Sequence, residues 1–217
     1  SENDKMRITS HCKAYFSSIL IKEVNALDLP FNGYDDIAVC DFGLEEESMR
    51  SIHTPQNFSI DTFTSIFATL ENLQQGDVIV YQVIFKGVVN PWSKSMMNAV
   101  SDANGNSFFV DAPEMLQLAK NKVSKPLFAV VVRLAAQSLF KERTEYLASE
   151  IIRTISTFSK SEFNRLIPLS NEGYEYQHHI ENLFYRQTNR LGMLLNTDEL
   201  VSLVHYPNES IVSSKLG

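Results

Sequence analysis

Two apolar runs constrain this chain more than anything else in it: "VIVYQVIF" at 78–85 and "PLFAVVVRLAA" at 126–136. Neither approaches the roughly 18 apolar residues that span a bilayer. Both are strand-sized. The first is too continuously apolar for a strand with one wet face, which alternates, and reads as a strand covered on both faces; the second reads as a further strand. Gln82 interrupts the first run. Buried, its amide needs partners, so it either faces a sheet edge or anchors a polar contact.

The rest of the chain supplies the covering layers. Residues 14–24 and 36–42 read as further strands, separated by the turn signal "LPFNGYDD". Ile60, Phe63, Ile66, Phe67, Leu70 and Leu73 then form one apolar stripe at helical period. Ser59 or Asp61 can cap its start and Gly76 is expected to close it. Shorter helices are expected over Trp92–Val100 and after Pro113, with "SDANGNS" as the loop between them. A longer one should run from Leu139 to Phe158, burying Tyr146, Leu147, Ile151, Ile155 and Phe158. A short extended piece closed by Pro168, a helix at 177–188, a brief strand "RLGMLL" and a last helix complete the pattern. The expected fold is α+β, a mostly antiparallel sheet with helices packed on it. It is taken as a single domain over 1–217, with two ferredoxin-like halves, 1–110 and 111–217, as one way of arranging it. The 217 residues suffice for a real core.

The last helix starts at "NTDELVSLVHYP". Asn196 as N-cap with Glu199 three positions on makes a capping-box variant. Leu200, Leu203 and Val204 give the buried stripe, and Pro207 forbids continuation. His205 can serve as a general base oriented by Glu199 or Glu209. The better reading is a histidine bonding the free carbonyls at a helix C-terminus.

Charge is unevenly spread. Residues 1–119 carry 7 basic and 16 acidic side chains, whereas 120–165 carry 9 basic and 4 acidic. A basic face can track nucleic-acid phosphates, and a solvated helix face with Lys and Arg at its ends is the plainer alternative. Catalytic signatures are missing. No glycine-rich phosphate loop and no Gly-x-Ser-x-Gly elbow occurs, so neither ATP hydrolysis nor serine-hydrolase chemistry is expected of this chain alone. Cys12 and Cys40 sit in no metal or redox spacing. His178 and His179 are adjacent, and neighbours on a helix point about 100° apart, which suits no shared ion. No catalytic, cofactor-binding or metal-binding residue is therefore assigned. Trp92, following Pro91 at a strand end, is either a packing anchor or a partner contact.

Three segments carry a resemblance. "RQTNRLGMLLNTDELVSLVHYP" resembles the stretch just ahead of the motor in conjugative, type IV secretion ATPases of the HerA/FtsK superfamily, through Leu195, Glu199, Leu200, His205 and Pro207. "IHTPQNFSIDTFTSIFATLENLQQGDVIVYQVIFKGVVNPW" is similar to an upstream part of the same region, through Thr54, Asp61, Gln82 and Trp92. "SKPLFAVVVRLAA" is similar to a strand of its second half, through Lys125, Phe128, Arg133 and Leu134. His53 stands where that family usually has lysine, and Thr62 where it has proline.

The resemblance implies a non-catalytic accessory domain of a conjugative DNA-transfer protein, cytoplasmic and held at the inner face of the membrane by the rest of its parent. A chain without an initiator methionine fits a piece of a longer polypeptide. The implied partners are a C-terminal ATPase motor domain of the same protein, secretion-channel components, DNA, and further copies of the chain. Contacts are expected at Trp92, Arg133, Arg143 and Arg153. Two alternatives stand beside it: an independent nucleic-acid-binding module using the basic 120–165 segment, and an unrecognised hydrolase using His205 or His178.

Overall fold

In chain order the elements are α1 (Glu2–Tyr15), β1 (Ala38–Leu44), α2 (Phe63–Leu70), β2 (Val78–Gly87), α3 (Trp92–Val100), α4 (Glu114–Val123), β3 (Leu127–Gln137), α5 (Lys141–Phe158), β4 (Leu166–Pro168), α6 (Tyr176–Phe184), β5 (Met193–Asn196) and α7 (Thr197–Val204). A computed structural model describes residues 2–16, 21, 29–33, 35–54, 63–87 and 91–205.

β3 is the axis of the sheet. Along one side it pairs antiparallel with β2 from Phe128 to Gln137. Along the other it takes β5 against Leu127–Val130 and β1 against Val132–Ala136. β4 extends the sheet beyond β1, giving the order β2-β3-β1-β4. The fold is α+β, an antiparallel five-stranded sheet with helices packed around it. A division at 110 does not separate two sheets, because β1 and β2 from the first half both pair with β3 from the second.

Alternation along the strands sends successive side chains to opposite faces. Val130, Val132 and Leu134 point to the face that holds Ile66 of α2, Ile151, Ile155 and Phe158 of α5, and Leu200 and Leu203 of α7. This is the main apolar core. The opposite face is split. Ala135 and Val39 meet Ile180 and Leu183 of α6, while Leu194 of β5 meets the α3–α4 pair around Met96, Val100, Met115 and Ala119. With helices on both faces, β3 is buried almost throughout, as its unbroken apolar run requires.

Several boundaries differ from the sequence reading. Ala14 and Tyr15, expected in a strand, end α1; residues 17–20 and 22–24 of that expected strand lie outside the described residues. Lys13 in the last turn complements the negative end of the α1 dipole. Ser59, Ile60 and Asp61 also lie outside the described residues. Gly76 does not close α2, which ends at Leu70. It sits at φ +90° in the turn before β2, where the Asp77 carboxylate accepts from Gln74 N at 2.9 Å. Tyr146 was expected on the buried face of α5 and is 54% exposed, a partner for the Arg143 guanidinium 5.5 Å above its ring. α6 stops at Phe184, short of 188, as the chain turns through Arg186 at φ +53°. Cys12 and Cys40 are free thiols.

Candidate functional site

The face of the sheet under α6 is where polar chemistry concentrates. Gln82, Arg133 and Asp41 are direct register partners on β2, β3 and β1, so they form one polar row across three neighbouring strands. Arg133 Nε donates to Asp41 Oδ1 at 2.7 Å, and its Nη1 donates to Gln82 Oε1 at 3.3 Å and to the Gln187 carbonyl at 3.0 Å. Gln82 Nε2 in turn donates to the Leu183 carbonyl at 3.2 Å. The row therefore grips the C-terminal end of α6, where backbone carbonyls need donors and the helix dipole favours a cation. Gln82 does both things expected of it: it lies on an edge strand of the described sheet and it anchors a polar contact.

Asp41 is shared. Arg190 Nε lies 3.1 Å from its Oδ2, so one carboxylate stands between two guanidiniums. The Arg190 head group stacks 4.3 Å above the Tyr174 ring and its Nη2 donates to the Ser170 carbonyl at 2.7 Å. His179 meets the same tyrosine edge-on, 4.9 Å between centroids. Only 3% of His179 is exposed, and neither of its ring nitrogens has a hydrogen-bond partner. Burial pushes its pKa down; Asp41 opposes this, and Arg190 and Arg133 reinforce it. Beside it lies a cavity of about 320 Å³, walled by Ile37, Val39, Asn171, Tyr174, Tyr176 and His179.

A second buried network closes the other end of the sheet. Lys122 and Glu199 are both fully buried and pair at 2.6 Å. Glu199 also accepts from Ile52 N at 3.0 Å and from Asn196 N at 2.8 Å, while Asn196 Oδ1 accepts from Glu199 N at 3.1 Å. The expected capping box is thus present and extended by a lysine. Burial pulls the Lys122 pKa down against the pull of Glu199. Lys125 pairs with Asp198 next door. At the far end of α7, His205 Nδ1 lies 3.2 Å from the Val201 carbonyl and its ring packs edge-on against Phe63 at 4.7 Å, the helix-terminus role expected of it.

The four residues expected to contact partners are not brought together. Trp92 is half-buried at the first position of α3. Arg133 is 1% exposed and engaged in the polar row, so in this fold it presents nothing to a partner. Arg143 donates to Asp77 at 2.7 Å and to the Asn72 carbonyl at 3.0 Å. Arg153, the most accessible of the four, pairs with Glu150 on its own helix. The basic 120–165 segment as a whole is largely matched: Lys122, Lys125, Arg133, Arg143, Arg153 and Arg165 each face a carboxylate. Lys120, Lys141 and Lys160 remain exposed. His178 is exposed, with Nδ1 4.0 Å from Glu175, whereas His179 points inward.

Asp41, Arg190 and Tyr174 were passed over in the sequence. The signal for Asp41 was there: an acid inside the apolar strand "IAVCDF" has to find a cation. Among the described residues no group of three or more His, Cys, Asp or Glu is arranged to hold a metal ion, and no helix is long and apolar enough to cross a membrane. No protein-family model, curated protein or solved structure matches the chain.

Proposed function

We propose that this chain is a non-catalytic accessory domain of a conjugative DNA-transfer protein, a folded positioning element for an ATPase motor carried by the same polypeptide. One observation supports this reading. The residues that carry the resemblance come from distant parts of the chain and meet as structural supports. Gln82 bonds Arg133, Phe128 pairs in register with Leu195, Lys125 pairs with Asp198 beside Glu199, and Glu199 holds Ile52. Asp61 and Pro207 lie outside the described residues. Side chains spent on clasping elements together are what a scaffold needs, and a reaction centre would leave such groups facing a cleft.

The work of the domain is then docking: holding the motor against secretion-channel components, or against further copies of the chain, in the cytoplasm at the inner face of the membrane. Direct guidance of DNA is the weaker part of the proposal, since most of the basic segment is already matched by carboxylates.

The full-length parent is the test. The translated frame beyond residue 217 is expected to contain a phosphate-binding loop, and the parent is expected to hydrolyse ATP while the 217-residue chain does not. ATP turnover by the 217-residue chain itself, or a parent without any phosphate-binding loop, overturns the reading.

A further inference from the structure

The two sides of the sheet end differently. On the β1 side, β4 covers Phe42, Gly43 and Leu44, and side chains close what lies beyond. Asn171 Nδ2 donates to the Val39 carbonyl at 2.9 Å, and Ile37 N donates to Tyr176 Oη at 3.0 Å. The β2 side is ten residues long, and among the described residues no strand or side chain bonds to its outer backbone. A long apolar edge with unpaired backbone groups is a template for another strand, and sheets ordinarily blunt it.

The register shows which groups are open. Backbone groups along an antiparallel strand point alternately to its two sides. At β1 the odd-numbered residues point away from β3, as the bonds at Ile37 and Val39 and that from Leu169 N to the Asp41 carbonyl at 2.8 Å establish. Cys40 and Phe42 therefore bond Leu134 and Val132, which leaves Val131, Arg133 and Ala135 to bond Ile84, Gln82 and Val80 of β2. Ile79, Tyr81, Val83 and Phe85 turn their N–H and C=O outward. A hollow of about 500 Å³ lies along them, lined by residues 80–85, Leu29 and Arg186. Six consecutive strand residues alternate between faces, so a hollow common to all of them runs along the edge.

Side chains select the occupant. Ile79, Tyr81 and Val83 pack on the main core, and Phe85 on the same face is 51% exposed. That face suits an apolar neighbour. Lys86 shares the other face with Val80 and Gln82, and Arg186 follows α6 there. Both cations are exposed, and neither meets a carboxylate among the described residues. A second copy pairing antiparallel through β2 sets like faces together, so it gathers the cations of both copies on one side and is disfavoured.

We propose that the outer edge of β2 docks an extended segment of a partner protein, alternating apolar and acidic residues, which joins the sheet as an antiparallel strand. Its apolar residues lie beside Tyr81 and Phe85, and its carboxylates meet Lys86 and Arg186. The site rests on the sheet edge alone, not on the conjugative reading.

The probe is a blocked peptide of strictly alternating valine and glutamate, ten residues long to match β2. It is titrated into the 217-residue chain while amide exchange is followed by NMR. In the free chain the amides of Ile79, Tyr81, Val83 and Phe85 are expected to exchange fast, and those of Val80, Gln82 and Ile84 slowly. The peptide is expected to protect the first set saturably. Lys86→Glu and Arg186→Glu, at exposed positions, should each weaken it about fivefold. A peptide with lysine for glutamate, or one N-methylated at its valines, should bind far more weakly. Outward amides already protected in the free chain show an edge taken by the chain itself or by a second copy, and overturn the proposal. So does a peptide that protects none of them, or a lysine or N-methyl peptide that binds as tightly.

Discussion

Arg133 and Asp41 face each other in register across β3 and β1, and the guanidinium donates to the carboxylate over 2.7 Å in a site where both are almost wholly buried. The relationship is unequal, because Arg190 holds the other side of Asp41. Removing the acid strands two cations; removing Arg133 leaves the acid one partner. Asp41→Asn should therefore cost the more, about 3–5 kcal/mol for an uncompensated buried charge. Arg133→Met should cost clearly less. Urea unfolding of the two variants measures this, and equal losses or the reverse order would refute the shared-carboxylate arrangement.

Glu199 and Asn196 divide the capping box into a strong and a weak half. Glu199→Gln leaves Lys122 without a counter-charge in a fully buried site and should lower stability by about 3 kcal/mol or more. Asn196→Ala removes a neutral cap and should cost about 1 kcal/mol. Pairing Glu199→Gln with Lys122→Met should recover part of the first loss. A double-mutant cycle reads the coupling, and strict additivity would show that the lysine does not depend on the glutamate.

The pH dependence follows from His179. Burial places its folded pKa below the ordinary 6.5, so as pH falls the unfolded chain takes up a proton before the folded one does. The contribution of the neutral ring is complete above about pH 6.5 and drains away as pH falls toward the lower folded value. Stability of the wild type should drop across that window, and His179→Phe should drop less. Parallel pH profiles for the two proteins would exclude the histidine as the source.

Cys40 should be a slow thiol. Burial and the neighbouring Asp41 push its pKa up from 9.0 to about 11, which reduces its thiolate at pH 8 roughly a hundredfold. Iodoacetamide should label it correspondingly slowly in the native protein and at an ordinary rate in urea. Fast native labelling of Cys40, located by peptide mapping, would contradict its place against the core.

What could be read in advance depended on whether a residue's role is local. The capping box at Asn196, the helix of Trp92–Val100 and the two apolar strands are written in consecutive residues and stand where their patterns put them, but the first of those strands, expected to be covered on both faces, lies at the sheet's edge, half-buried and exposed from Phe85 on. The polar row was not legible, because Gln82, Arg133 and Asp41 acquire their meaning only from strand register, which periodicity does not give. Arg133 looked like a contact because an arginine is usually exposed. A cation inside an apolar run and an acid inside another were, taken together, a pair waiting to be drawn. The His179 cavity was still further from view: it arises where β4 ends early, and nothing in "LIPLSNEGYEYQHH" announces how far a three-residue strand will reach along its neighbour.

The central place of β3 also sets a timetable for synthesis. β1 and β2 emerge from the ribosome before their partners: neither pairs with the other, both pair with β3, and β1 takes β4 later still. Until residue 137 has left the exit tunnel, neither of these two strands has its described β3 partner complete. β3 then supplies a partner edge to each of them. Completion of the described sheet thus waits for the second half of the chain, and until then the unpaired strand edges are what a chaperone would cover.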